Sequence, residues 1–247
     1  MNKFDTKEDS WLGQKLVLQQ PIRSYRVAID AALLAAAIPL KPGKHALELG
    51  TGVGAVALAL ALRVQDCRVT AVEIQDELRD LAHSNVIING FEDKIDIIQS
   101  DILDLEPPSN FFSEVLFNPP YLKPESNDAS PDEIKRIATV EGKARLADWY
   151  KVASEQVIPG GGVTAIHRAD RLSDLLNAAT KAGIGSLAVF PIWPHKGSDA
   201  RRIIVRGVKG GAAPLRILSG LTLHTEEAKY SSQAESILQG EASIELI

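Results

Sequence analysis

The chain has 247 residues, 45% apolar and 24% charged, with a net charge of −5, which is ordinary for a globular protein with a sizeable core. Its acidity argues against strong non-specific binding to nucleic acid. The start, MNKFDTKEDSW, is too charged for a signal peptide, and the longest apolar run, Ala31 to Leu40, is too short for a bilayer and contains Pro39. One cysteine, Cys67, excludes an internal disulfide and fits a reducing cytoplasm. The five histidines show no metal-ligand spacing with it, so neither a metal site nor a membrane partner is expected.

Leu16–Val27 reads as a polar-interrupted strand, followed by a small apolar helix Asp30–Ile38 with Asp30 as candidate N-cap. From there short apolar runs alternate with helical patterns, the signature of βαβ units around a mostly parallel sheet. Seven strands are predicted, at His45–Leu49, Arg68–Ile74, Ile95–Gln99, Glu114–Phe117, Gly162–His167, Leu187–Ile192 and Arg201–Gly207. Helices are predicted at Ala55–Val64, Asp76–Asn89, Arg145–Ile158 and Ser173–Ala182. The second carries Leu78, Leu81, Ala82, Asn85, Val86 and Ile88 near one face, with Gly90 as its stop. Leu215–Leu223 reads as a further strand and Ser231–Leu238 as a last helix. The whole is read as one domain, 1–40 being a strand and helix extension and 41–247 the core. The polar stretch Leu122–Ala144 is long for a connection and is expected to act as a mobile lid.

In "ALELGTGVGAVALAL" a strand ends at Leu49, Gly50, Gly52 and Gly54 alternate, and a helix opens at once. Glycines there permit a tight turn and close approach of a ligand to the helix N-terminus. A dinucleotide fingerprint would read G-x-G-x-x-G and would want no carboxylate facing a pyrophosphate. Here Glu48 stands two residues before the turn, which suits a ligand with a positive amine and sulfonium, such as S-adenosylmethionine. Glu73 ends the next strand, where it can accept both ribose hydroxyls. Asp101 follows the third, where it can accept from an adenine amino group while Ile102 packs on the ring. Successive strand ends of an open α/β sheet are where ligands bind.

The fourth strand runs into "LFNPPYLKP". Pro119 and Pro120 stop strand pairing and hold the Pro119 carbonyl rigidly. The Asn118 amide oxygen and that carbonyl can each accept one N–H of a planar exocyclic amine, aiming its lone pair at a sulfonium methyl. Tyr121 offers a face for stacking. Cys67, at the start of a strand and far from this edge, reads as a core residue; His167 and Arg168 end the fifth strand, as crevice lining or as structural residues. Between His195 and Arg216 six basic residues (Lys196, Arg201, Arg202, Arg206, Lys209, Arg216) face Asp199 alone. They form a solvated strand pair or a stripe that steers a polyanion.

Together Glu48 to Gly54, Glu73, Asp101 and Asn118-Pro-Pro-Tyr121 resemble the class I S-adenosylmethionine methyltransferases that modify planar amines. "SYRVAIDAALLAA", "LADWYKVASEQVIPGGGVTAIHRADRL" and "LTLHTEEAKYSSQAESIL" are similar to the bacterial valine-tRNA adenine-N6 methyltransferases. The resemblance implies a Rossmann-like α/β fold with helices on both faces of the sheet and a tRNA substrate methylated beside the anticodon. It implies the target-base role for Asn118, Pro119, Pro120 and Tyr121, and the cofactor role for Glu48, Gly50, Gly52, Glu73 and Asp101. Asp30 matches a family position near the cofactor. Release-factor glutamine methyltransferases share the motif but carry a helical domain before the glycine turn, for which the fewer than fifty residues ahead of Glu48 are too few. DNA adenine enzymes add a large target-recognition domain and guanine-N2 enzymes a duplicated upstream one; neither is expected here. A cofactor-binding module without turnover is the remaining alternative.

Overall fold

In the computed structural model, which describes residues 5–22, 26–106, 110–121, 136–137 and 140–246, the chain opens with a hairpin. Strands β1 (Thr6–Trp11) and β2 (Leu16–Pro21) pair antiparallel, apart from the main sheet. The extended segment expected over Leu16–Val27 therefore ends at Pro21, and β1 was not expected at all. Helix α1 (Ile29–Ala36) follows with Ala28 as its N-cap. Asp30 lies within its first turn, so the expected capping role is not observed.

The main sheet contains β3 (His45–Leu49), β4 (Arg68–Glu73), β5 (Ile95–Gln99), β6 (Phe112–Phe117), β7 (Val157–Arg168), β8 (Ile184–Trp193) and β9 (Arg202–Lys209). Their order is β8-β9-β7-β6-β3-β4-β5, and all pairs are parallel except those of β9. The mostly parallel seven-stranded α/β sheet is thus observed, widened by two short additions on β8. These are β10 (Arg216–Ile217) and β11 (Leu221–Thr222), into which the expected strand Leu215–Leu223 divides. Strand order reverses between β3 and β6, and at such a switch point the carboxyl ends of neighbouring strands open a crevice.

Helices α2 (Ala55–Arg63), α3 (Asp76–Ile88), α4 (Leu146–Gln156), α5 (Leu172–Lys181) and α6 (Ser232–Leu238) complete the layers. One apolar cluster joins α1, α2, α6, β2 and Val86 of α3 to one face of the sheet, and a second joins α4 and α5 to the other. On α3, Leu78, Leu81, Ala82, Asn85 and Val86 are buried as expected, but Ile88 is exposed. Gly90 adopts the positive φ that ends a helix. Asn85 and Asn89 turn their amides onto β2. Asn85 accepts from the Gln19 N–H at 2.7 Å and donates to the Gln19 and Val53 carbonyls, while Asn89 accepts from the Val17 N–H at 3.0 Å and donates to its carbonyl.

Inside the sheet, Arg206 of β9 reaches across β7 to Glu114 of β6 as a bidentate pair at 2.6 and 2.9 Å, and bonds Thr164 as well. Gly162 is required where they cross, because a Cβ there would overlap both charged groups. No helix among the described residues is long and apolar enough to cross a membrane.

Candidate active site

The turn after β3 adopts positive φ at Gly50 (70°), Gly52 (60°) and Gly54 (84°), the last being the N-cap of α2. Only glycine takes these angles without strain. Gly50 is doubly constrained, since a Cβ would lie 2.8 Å from Cη2 of Trp149 on α4. Glu48 lies beneath the turn rather than on its surface. Its Oε2 accepts from the Thr51 hydroxyl at 2.7 Å and the Ala57 N–H at 3.0 Å, tying the turn to the first turn of α2. Burial pushes this carboxyl up to about 8, and the nearby Glu73 charge adds to the shift.

Glu73, at the end of β4, accepts from the Gly52 N–H at 2.8 Å on Oε2, and from the Ile74 and Gln75 N–H groups on Oε1. Burial raises its pKa, and these three donors oppose the rise. A carboxylate offers about four acceptor positions, so one remains, on Oε2. That suits one hydroxyl of a ribose rather than the two expected. Gly50, Gly52, Glu73, Asn118 and Pro120 line one crevice of about 80 Å³, closed by Ile74, Gln75, Leu78, Ile137 and Trp149. Asp101 lies just past the end of β5, on the same edge of the sheet, and caps a turn of 3-10 helix through the Leu103 N–H, its Oδ2 making no hydrogen bond among the described residues; Ile102 beside it is buried. These residues fit S-adenosylmethionine in chemistry: a glycine cradle without side chains, an acceptor for a ribose, and an exposed apolar residue, Ile74, for a ring.

Asn118, Pro119, Pro120 and Tyr121 leave β6 beside Gly50, and three side chains, from β7, the turn before α5 and β9, converge on them. His167 is buried, and its Nδ1 accepts from the Arg168 N–H at 2.9 Å, which places the proton on Nε2. Nε2 finds no hydrogen bond in good geometry among the described residues and faces the Pro120 carbonyl. Burial and the Arg171 and Arg202 charges hold the imidazole neutral, pushed down to about 4. Just before α5, Arg171 approaches the Tyr121 carbonyl at 3.5 Å while paired to Glu141 and Asp174. The Arg202 guanidinium sits 5.8 Å from the centroid of the Tyr121 ring and donates to Asp30 at 2.8 Å. Asp30 is thereby brought beside Tyr121, through Arg202.

Other expectations divide. Cys67 is buried and contacts the Leu60 carbonyl, a core residue as read. The basic stripe is largely dismantled: Arg206 is inside the sheet, Lys209 bonds Asn110 and Val157 at the opposite end of β9, and Arg216 bonds the Leu246 carbonyl. Arg202 stays at the crevice, against Tyr121, with Arg201 next to it in the chain, whereas Lys196 lies in the exposed β8–β9 connection. Most of the expected lid, 122–135 and 138–139, lies outside the described residues; of the remainder, Ile137 reaches the crevice and Glu141 holds Arg171. Sequence reasoning missed Ile74, Gln75, Leu78, Trp149 and Arg171. Ile74 left a signal, an apolar residue directly after a strand-ending acid, but nothing local marks a tryptophan on an amphipathic helix as a neighbour of Gly50.

Residues 24–139 match the methyltransferase small domain. The chain is 35% identical over 189 residues to a tRNA1(Val) (adenine(37)-N6)-methyltransferase of Porphyromonas gingivalis, covering 72% of each. It is 32% identical over 210 residues to the enzyme of that name in Erwinia tasmaniensis, covering 84% of each. Among solved structures, one described as a predicted O-methyltransferase from Agrobacterium tumefaciens superposes with a TM-score of 0.73 at 25% identity, over 87% of this chain and 98% of that one. Fold, glycine turn and relatives make this chain an S-adenosylmethionine-dependent N-methyltransferase of the Rossmann-like class. Within that class it belongs to the family of the tRNA1(Val) (adenine(37)-N6)-methyltransferases.

Proposed function

We propose that this enzyme methylates the exocyclic N6 amine of an adenine in RNA, in a tRNA beside the anticodon. The observation that carries the reading is Asn118-Pro-Pro-Tyr121 at the carboxyl end of β6, on the wall shared with Gly50 and Glu73. The cofactor supplies an electrophilic methyl on a sulfonium. The chain does the rest by position. Asn118 and the Pro119 carbonyl accept the two amine hydrogens and aim the nitrogen lone pair, while His167 and Arg171 hold the loop carbonyls behind them. With Arg202 against one face of Tyr121, the base stacks on the other. The target leaves its own stack at a cost of a few kcal/mol, offset by about 1–3 kcal/mol of stacking on the ring.

The two acceptors suit any amine with two hydrogens, including cytosine N4 and guanine N2; adenine and tRNA come from the relatives. A hydroxyl target would instead need a base, and His167 is buried, with its Nδ1 occupied. The test is incubation with methyl-labelled cofactor and total bacterial tRNA, then nucleoside analysis. N6-methyladenosine is the expected product, lost in Asn118→Ala while cofactor affinity stays. Label on a ring nitrogen, a ribose hydroxyl or a protein side chain would overturn the reading.

A further inference from the structure

Beyond the crevice, four groups form a column at the same edge of the sheet. Lys229 Nζ lies 5.3 Å from the Tyr230 ring centroid, the Tyr230 ring stacks on His224 at 5.3 Å and 27°, and His224 meets His195 at 5.2 Å. The column is braced. His224 bonds the Lys229 carbonyl, and β11 pairs with the end of β8, so its loop and the β8–β9 connection stand side by side. Tyr230 and His224 are half-buried, but His195 is exposed and ends the column. Beside it, Lys196 is exposed and makes no ion pair among the described residues.

Position gives the column a partner. β8 and β6 end on the same edge, three strand spacings apart in the order β8-β9-β7-β6, or about 14 Å. That is the reach of two nucleotides from the one over Asn118. A run of rings, stacked at Tyr230–His224 and tilted by 41° at His224–His195, with Lys229 over one end and Lys196 next in the chain to the other, is what an unpaired base and its phosphate recognise, and stacking on such rings tolerates any base. We infer that His195 is the open face of a stacking site for a second unpaired base of the RNA substrate, near the methylated one, with Lys196 on its phosphate. This deepens the function proposed above and rests on it.

An unmodified transcript of a bacterial valine tRNA serves as probe, with Kd measured across a salt series. His195→Ala should weaken binding about tenfold without changing the slope of log Kd against log salt, because no ionic contact is lost. His195→Phe should stay within about twofold of the starting enzyme, since the ring face remains, and Lys196→Ala should make the slope shallower by about one. Cofactor affinity should not move in any of the three. If the transcript is bound and methylated yet His195→Ala binds as well as the starting enzyme, or His195→Phe loses as much as His195→Ala, the stacking site is overturned and the proposed function stands. If the starting enzyme neither binds nor methylates the transcript, both fall.

Discussion

Replacing Glu48 by glutamine removes the carboxyl beneath the glycine turn while keeping an oxygen to accept from Thr51 and Ala57. Burial holds the folded carboxyl at about 8 against an ordinary 4.5. The stability contributed by its neutral form is therefore complete below pH 4.5 and lost as the pH rises through about 8. A cationic cofactor reverses that preference. A positive charge about 6 Å away, at an effective dielectric of about 20, favours the carboxylate by roughly 2.8 kcal/mol, or about two pKa units. Cofactor binding should then expel a proton, and affinity should rise about 25-fold from pH 6 to pH 8. Calorimetry in buffers of different ionisation enthalpy measures both Kd and protons released. The cofactor's own amine titrates near about 8, and that contribution survives in Glu48→Gln, so the difference between the two proteins isolates Glu48. Parallel pH curves for the two proteins would refute the reasoning.

Arg206→Met should cost about 3–5 kcal/mol in urea denaturation by leaving Glu114 buried without its partner, and Glu114→Leu in the same chain should recover most of it. Gly50→Ala combines a φ of 70° with a Cβ contact of 2.8 Å to Trp149; a lower melting temperature and weaker cofactor binding by titration are expected. His167→Ala should lower kcat with cofactor Kd unchanged, whereas His167→Gln should restore most of the rate, its oxygen accepting from Arg168 and its amide donating to Pro120. Equal loss in both variants would make the histidine a packing residue only.

What could be read from the sequence was what repeats locally. Strand-helix alternation and acids at successive strand ends depend on residues near one another in the chain, so Glu48, Glu73 and Asn118 announced themselves before their neighbours were known. The errors lie where a distant segment decides. Asp30 has the chemistry of an N-cap, but Arg202, 172 residues away, engages it instead. Arg206 looks like its basic neighbours until Glu114 is placed beside it. Leu215–Leu223 has the composition of one strand, yet Leu218 and Gly220 break it over Pro191 and Trp193, where a Cβ on Gly220 would overlap both. Trp149 touches Gly50 only because α4 crosses the sheet there.

The two asparagines on α3 bear on what becomes of the free edge of β2. Four residues of helix rise about 6.0 Å and two residues of strand about 6.6 Å, so amides at Asn85 and Asn89 meet alternate residues of β2, Gln19 and Val17, nearly in step. Each amide offers one acceptor and donors, as a strand's peptide group would. The helix thus presents to β2 the hydrogen-bonding face of a missing strand. With β1 on its other side, β2 has no open edge for a second chain to join, the usual route to edge-to-edge aggregation. Changing both asparagines to leucine would keep the helix and uncover that edge. Self-association, rather than a lost core, is the failure to look for in that variant.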